Sequence, residues 1–126
     1  MQKLAVLKTI ILCLLLMTSG CDLFEPERQM IIILYNVTEI TDTSCNLKGS
    51  IIDNMEIDLT DHGFCWGNNP SPTLDDEIIS LGAISSPGIF RGYIDGLEPG
   101  LKYYVRAFAR NEDQTWYSNE DDFTPP

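Results

Sequence analysis

Residues 97–110 read LEPGLKYYVRAFAR, and they carry the clearest signal of secondary structure in the chain. Its Pro and Gly mark a turn, and the run that follows alternates between two sets of side chains. One set is Tyr103, Val105, Ala107 and Ala109, and the other is Tyr104, Arg106, Phe108 and Arg110. Because side chains in a β-strand alternate with period two, the stretch predicts a turn and then a strand over 102–110, with the first set facing a core.

Six more segments of strand length lie around this one, and turn residues separate them about every 8–12 positions. They cover residues 30–41, 44–52, 62–67, 77–81, 89–94 and 115–124. In the second segment the predicted core face carries Cys45, Leu47, Gly49 and Ile51, and the outer face carries Asn46, Lys48 and Ser50. The pattern predicts an all-β fold, a seven-stranded antiparallel immunoglobulin-like sandwich.

The stretch 97–109 also resembles the corner before the sixth strand of fibronectin type III domains. The Leu and Tyr of that family's pattern are Leu97 and Tyr103 here, and the resemblance implies that both are core residues. It also implies that the tyrosine hydroxyl hydrogen-bonds the backbone upstream. The same resemblance extends over ITDTS (40–44), GFCWG (63–67), NPSPT (69–73) and YSNE (117–120). Together these stretches are similar to the fibronectin type III-like modules of lipoproteins from Gram-negative gut anaerobes.

The chain departs from that family at two positions. Asp121 stands where the family carries an aliphatic residue, two positions before the inward-facing Phe123. An acid on a core-facing position is costly unless it is paired or reaches solvent. We therefore expect the last strand to be frayed, bulged or shifted in register near Asp121. The second departure is Cys45, where the family has Ala or another small residue.

The first twenty residues have the composition of a secretory signal. They contain Lys3 and Lys8, no acid, and the apolar run TIILCLLLM over 9–17. A membrane-spanning helix needs about 20 apolar residues, so this run is too short to be one. The sequence that follows, TSGC over 18–21, resembles the lipobox of bacterial lipoproteins, although that pattern prefers an aliphatic residue at Thr18.

That resemblance implies that Cys21 is lipidated and becomes the first residue of the mature chain. An ordinary signal peptide followed by a structural cysteine is the alternative. The predicted organisation is a lipoprotein signal peptide at 1–20, an acidic tether at 21–29 and a fibronectin type III-like sandwich at 30–126. The expected location is the cell envelope, with a lipid anchor in the outer membrane, facing either the surface or the periplasm.

The charge balance excludes one class of partner. The 126 residues include 8 Lys and Arg and 19 Asp and Glu, a formal net charge of −11. Without residues 1–20 the chain keeps 6 of those basic residues and all 19 acids, a net charge of −13. Nucleic acid binding requires a basic face that neutralises phosphates, so no nucleic acid partner is expected.

Little in the chain suggests catalysis. The single histidine, His62, adjoins Asp61 and is predicted to form a surface pair with it instead of acting as a base. The acidic clusters are expected to be solvated, with no metal and no cofactor. Cys45 and Cys65 fall on opposite faces of their strands, so two reduced thiols are favoured over a disulfide.

The outward-facing aromatic side chains are the best candidates for a binding site. Tyr104 and Phe108 are predicted to lie on the outer face of the sixth strand, with Tyr93 and Trp116 nearby. Such a stripe can stack on sugar rings or bind a partner protein. The chain is therefore predicted to be a lipid-anchored, non-catalytic envelope module that binds a protein or a glycan, as an accessory subunit of a larger complex. A small carboxylate-based hydrolase and a purely structural spacer are the alternatives.

Overall fold

A computed structural model describes residues 28–126, which form seven antiparallel strands. The strands are β1 (Ile31–Leu34), β2 (Cys45–Asp53), β3 (Asp61–Gly67), β4 (Glu77–Ser80), β5 (Gly88–Ile94), β6 (Tyr103–Arg110) and β7 (Thr115–Phe123). They pair into a three-stranded sheet, β1-β2-β5, and a four-stranded sheet, β4-β3-β6-β7. The predicted all-β sandwich is confirmed. The predicted signal peptide and Cys21 lie outside the described residues.

The core lies between the inner faces of the two sheets. In β6, the four side chains predicted to face it, Tyr103, Val105, Ala107 and Ala109, are all buried. The Tyr103 hydroxyl accepts a hydrogen bond from the backbone N–H of Glu98 at 2.8 Å, and Leu97 is buried beside it. The corner implied by the family resemblance is therefore present.

The last strand contains the predicted irregularity, a β-bulge. Arg106 of β6 is paired with Glu120 of β7, whereas Phe108 is paired with Tyr117. Three residues of β7 thus span the distance of two residues on β6, which reverses the alternation of β7 on the amino-terminal side of the bulge.

The acid near this bulge is paired. Asp121 accepts a hydrogen bond from the backbone N–H of Val37 at 2.9 Å. Asn119 contacts the same part of the chain, where its Oδ1 accepts from the N–H of Leu34 at 2.8 Å and its Nδ2 donates to the Leu34 carbonyl at 3.0 Å. Side chains of β7 therefore satisfy backbone groups along β1 and the segment after it, and they connect the two sheets at this edge.

The two described cysteines are free and buried. Cys45 belongs to the core between the sheets, whereas Cys65 lies on the outer side of β3, with its Sγ 3.5 Å from the carbonyl oxygen of Pro72. Burial raises the pKa of each thiol to about 11. The prediction of two reduced thiols on opposite faces is confirmed.

The prediction for His62 is wrong, because neither His62 nor Asp61 lies on the surface. The Nδ1 of His62 donates to the Gly82 carbonyl at 2.7 Å, and the edge of the imidazole meets Phe90 at a centroid distance of 5.0 Å. The Asp61 carboxylate accepts from the Ser80 hydroxyl at 2.7 Å and from the Gly82 N–H at 3.0 Å. Both side chains fasten the start of β3 to the end of β4 and the residues after it.

Candidate functional site

The four predicted binding residues do not form one stripe. Tyr104 is half-buried on β6, and Tyr93 is exposed on β5, which belongs to the other sheet. Trp116 packs against the core, because the bulge in β7 reverses the alternation that would have placed it outside. Phe108 is fully buried, so the prediction that it is exposed is wrong.

Phe108 is fully buried on the outer side of β6, where it is paired with Gly63 of β3. A Cβ built on Gly63 would lie 1.8 Å from the carbonyl oxygen of Ile79, so only glycine fits there beside β4. The same Cβ would lie 3.4 Å from the Cε1 of Phe108, which is an ordinary van der Waals contact. The alternation of β6 correctly placed Phe108 away from the central core, but alternation alone does not show whether an outer face is covered.

A loop covers part of this outer face of the four-stranded sheet. Within residues 68–76, Pro72 is fully buried, and its carbonyl oxygen accepts a hydrogen bond from the Arg106 Nε at 2.9 Å. The Arg106 guanidinium lies 4.1 Å from the centre of the Tyr117 ring, and the Tyr117 hydroxyl accepts from the N–H of Leu74 at 3.2 Å. The cation and the phenol on this face therefore already have partners inside the domain.

The outer face of the three-stranded sheet is open instead. A groove of about 780 Å³ runs across it, within the range of roughly 300–1,000 Å³ that is common for ligand sites. Its lining consists of Tyr35, Asn36, Thr38, Glu39, Asn46, Leu47, Lys48, Arg91, Gly92 and Tyr93. Tyr93 is 59% exposed and Tyr35 is 37% exposed, so both rings reach solvent in the groove.

The segment 35–39 forms one wall of this groove. It is held to β2 by hydrogen bonds from the Tyr35 N–H to the Lys48 carbonyl at 2.9 Å and from the Thr38 N–H to the Asn46 carbonyl at 3.1 Å. Glu39 ends the segment in the left-handed region, with φ of 49°, and its Oε2 accepts from the Asn46 Nδ2 at 2.6 Å. A residue other than glycine in this region is strained, and such strain is often found at functional sites.

The groove side chains form two rows that run from the segment 35–39 across β2 to β5. Because Tyr35 is hydrogen-bonded to Lys48, and Lys48 is directly opposite Arg91, the first row is Tyr35, Lys48 and Arg91. The second row is Thr38, Asn46 and Tyr93, from the bridge between Thr38 and Asn46 and the pairing of Asn46 with Tyr93. Each row has a tyrosine at one end, and the two tyrosines lie at opposite edges of the groove.

The two cations of the groove differ from the other basic side chains between residues 28 and 126. Arg28, Lys102 and Arg110 form ion pairs with carboxylates, and Arg106 donates to a carbonyl. In the same part of the chain, the side chains of Lys48 and Arg91 form neither an ion pair nor a hydrogen bond. The Nζ of Lys48 lies 4.7 Å from the centre of the Tyr35 ring.

Sequence reasoning identified Tyr93 but missed Tyr35, Lys48 and Arg91 as parts of one site. The alternation of β2 did place Asn46 and Lys48 on an outer face. The missing information was the order of the strands, because residue 91 is adjacent to residue 48 only when β5 is paired with β2.

The described residues contain neither a metal-binding cluster nor a membrane-spanning helix. No group of three or more His, Cys, Asp or Glu side chains between residues 28 and 126 is arranged to hold a metal ion. Over that same range, no helix has the length and hydrophobicity to cross a membrane.

Comparison with known proteins finds no matching family model and no matching curated protein. Among solved structures, the chain is similar to the sensor domain of the anti-sigma factor RsgI4 in Pseudobacteroides cellulosolvens. The TM-score is 0.60 at 16% identity, over 79% of this chain and 97% of that one. A solution structure of the same sensor domain gives a TM-score of 0.58 at 16% identity, over 77% and 75% of the two chains. A myokine structure gives 0.51 at 15% identity, over 75% and 97%. At these identities the similarity shows the β-sandwich fold alone.

Proposed function

We propose that this chain is a lipid-anchored, non-catalytic module of the bacterial envelope that binds a glycan in the groove of its three-stranded sheet. One observation carries the proposal. Two exposed tyrosine rings lie at opposite edges of a groove whose remaining lining is largely amide, hydroxyl and charged groups. The similar RsgI4 structures are described as sensor domains, so in that protein the same fold is assigned to sensing.

The chemistry of the groove suits a sugar ligand. Tyrosine rings offer flat apolar surfaces against which sugar rings can stack. The amides of Asn36 and Asn46 and the hydroxyl of Thr38 offer donors and acceptors for sugar hydroxyls. A peptide that added a strand beside β1 would need free backbone groups at that edge. The backbone N–H groups of Leu34, in β1, and of Val37, just after it, are already bonded to side chains of β7.

The two other candidate functions have less support. A carboxylate-based hydrolase needs two acids that face each other across a cleft. The lining of the groove includes one carboxylate, that of Glu39, which accepts a hydrogen bond from Asn46. A structural spacer would have no use for a groove with two exposed aromatic rings.

The lipid anchor rests on the order of the signal-like segment, the small residues and Cys21. We expect a radiolabelled fatty acid to be incorporated into the wild-type chain and not into Cys21→Ala when both are expressed in a Gram-negative host. The readout is the label in the purified protein, normalised to its amount on an immunoblot. Equal labelling of the two chains would exclude this anchor, and the protein would then be secreted by an ordinary signal peptide.

Glycan binding is tested on an array of bacterial and plant oligosaccharides. We expect the wild-type chain to bind a subset of the array and Tyr93→Ala to lose at least about tenfold in affinity for it, since stacking on an aromatic anchor contributes a large share of such binding. The matched control is Tyr104→Ala, which removes the same side chain from the four-stranded sheet. Equal losses in the two variants would contradict a site in the groove.

A further inference from the structure

The floor of the groove contains a pair of like charges. Lys48 and Arg91 are directly opposite each other on adjacent antiparallel strands, and both side chains point away from the core. Like charges in this position destabilise a sheet. The domain has many acids with which to neutralise them, since 19 Asp and Glu outnumber 8 Lys and Arg in the chain. No acid between residues 28 and 126 forms an ion pair with either cation, and such a pair suits a negative charge that arrives with the ligand.

The position of the pair relative to the tyrosines indicates the size of that ligand. Neighbouring strands are about 4.8 Å apart and successive rows on one face are about 7 Å apart, so the backbones of Tyr35 and Tyr93 are about 12 Å apart along the diagonal. In the first row Lys48 lies between Tyr35 and Arg91, and in the second row Asn46 lies beside Tyr93. A saccharide of more than one ring along this diagonal would pass between Lys48 and Asn46, with Arg91 to one side.

We infer that the groove recognises an acidic glycan, one in which a sugar ring bears a carboxylate that binds to Lys48 and Arg91. The inference rests on the proposed glycan-binding function and adds its ligand class. The planar guanidinium of Arg91 can donate two parallel hydrogen bonds to a carboxylate, and the ammonium of Lys48 supplies a second positive charge.

The negative charge of the rest of the domain limits how many carboxylates a ligand can carry. The chain without its first twenty residues has a net charge of −13, and the groove itself contains the Glu39 carboxylate next to Asn46. A polyuronate would therefore meet repulsion everywhere except at the cation pair. A chain of mostly neutral sugars with isolated uronates fits this charge distribution better.

The test compares two ligands that differ only in charge. A tetrasaccharide containing one glucuronate and its carboxyl-reduced form, which is neutral, are titrated by calorimetry into the full-length chain purified in detergent. We expect the acidic form to bind at least about tenfold more tightly at low salt, the gain expected from one charge-assisted bidentate contact. Since salt screens the attraction, the ratio should fall as the ionic strength increases.

Variants separate the charge from the stacking. In Arg91→Gln the ratio of the two affinities should fall close to one, because the acidic form loses its bidentate contact. In Tyr93→Ala both affinities should fall together. The matched control is Lys102→Gln, which removes an exposed cation from the other sheet and should leave the ratio unchanged. Circular dichroism spectra of the variants are compared with that of the wild-type chain to check that each is folded.

The outcomes distinguish this inference from the function beneath it. Equal binding of the acidic and neutral forms would overturn the acidic specificity and leave glycan binding intact. A ratio that survives Arg91→Gln would also overturn the inference, because the carboxylate would then bind elsewhere. If neither saccharide binds and a tetraglutamate peptide binds in their place, both proposals fail.

Discussion

The two outer faces of this sandwich contain similar chemical groups, yet only one of them is open. On the four-stranded sheet the Arg106 guanidinium lies 4.1 Å from the Tyr117 ring, and on the three-stranded sheet the Lys48 ammonium lies 4.7 Å from the Tyr35 ring. The first pair is closed off by the loop at 68–76, whose Pro72 carbonyl also binds the cation. A cation beside an aromatic ring therefore does not identify a binding site by itself. Whether a loop covers the pair determines whether a ligand can reach it.

The largest expected effect separates the two aromatic residues that sequence alone assigned to one stripe. Phe108→Ala removes a fully buried ring and should lower the free energy of unfolding by about 3–5 kcal/mol. Tyr93→Ala removes a ring that is 59% exposed and should change it by less than about 0.5 kcal/mol. Urea denaturation followed by tryptophan fluorescence measures both. Similar changes in stability for the two variants would contradict the burial of Phe108 on one face and the exposure of Tyr93 on the other.

A second prediction tests whether the loop is a permanent cover. Burial raises the pKa of the Cys65 thiol to about 11, from an ordinary value near 9.0. Above the ordinary value the unfolded chain loses this proton while the folded chain retains it, so the unfolded state binds fewer protons and stability falls as pH rises. The difference is worth about 2–3 kcal/mol, present below pH 9 and lost by about pH 11.

Because the Cys45 thiol also has a pKa raised to about 11, the loss due to Cys65 is measured by urea denaturation of Cys45→Ser between pH 8 and pH 11. Ellman's reagent detects opening of the loop. We expect Cys65, under the loop, to react at pH 8 as slowly as Cys45 in the core, because both would require global unfolding. The single variants Cys45→Ser and Cys65→Ser assign the two rates. If Cys65 reacted much faster than Cys45, the loop would open without global unfolding. The outer face of the four-stranded sheet would then be covered only part of the time.

The third prediction concerns the edge where the sheets meet. Asp121→Ala leaves the N–H of Val37 without its partner and should lower the free energy of unfolding by about 1–3 kcal/mol. Because Val37 lies between Asn36 and Thr38, which line the groove, the same variant should also weaken the proposed glycan binding. Its neighbour Asp122 forms an exposed ion pair with Lys102, so Asp122→Ala should change stability by less than about 1 kcal/mol and leave binding unaltered. Thermal denaturation measures the change in stability, and the glycan array measures the change in binding. Intact binding in Asp121→Ala would show that the wall formed by residues 35–39 does not depend on the contact between Asp121 and Val37.

The smallest expected effect is on stability at the Lys48–Arg91 pair, where a substitution that removes the proposed ligand contact should stabilise the domain. Arg91→Glu replaces a like-charge pair with an opposite-charge pair across from Lys48, and should stabilise the domain by about 0.2–1 kcal/mol. On the covered face, Arg106→Glu should destabilise it, because the carboxylate would face the Pro72 carbonyl. Denaturation of the two variants under the same conditions gives the signs. A destabilised Arg91→Glu would mean that the guanidinium has a structural role in the sheet.

The strands were predictable because turn residues and alternation are local signals. Tyr103 and Leu97 were placed correctly, since their corner lies within a few residues of sequence. The site was predictable only in part. Trp116 was misplaced because of a bulge that depends on the pairing of β6 with β7. Phe108 was misplaced because alternation does not show whether an outward-facing residue is covered. The Lys48–Arg91 pair forms between residues 43 positions apart, and no local pattern contains that information.

The contact between Asp121 and Val37 has a further consequence for when the protein becomes active. It joins residues 84 positions apart, and the contact of Asn119 with Leu34 joins residues 85 positions apart. Closing so large a loop is slow and requires the final strand to be in place. During folding the groove would therefore lack a secured wall until residues 119–121 had joined the sheet. Any ligand binding in the groove would then report that β7 has been added and that both sheets are complete.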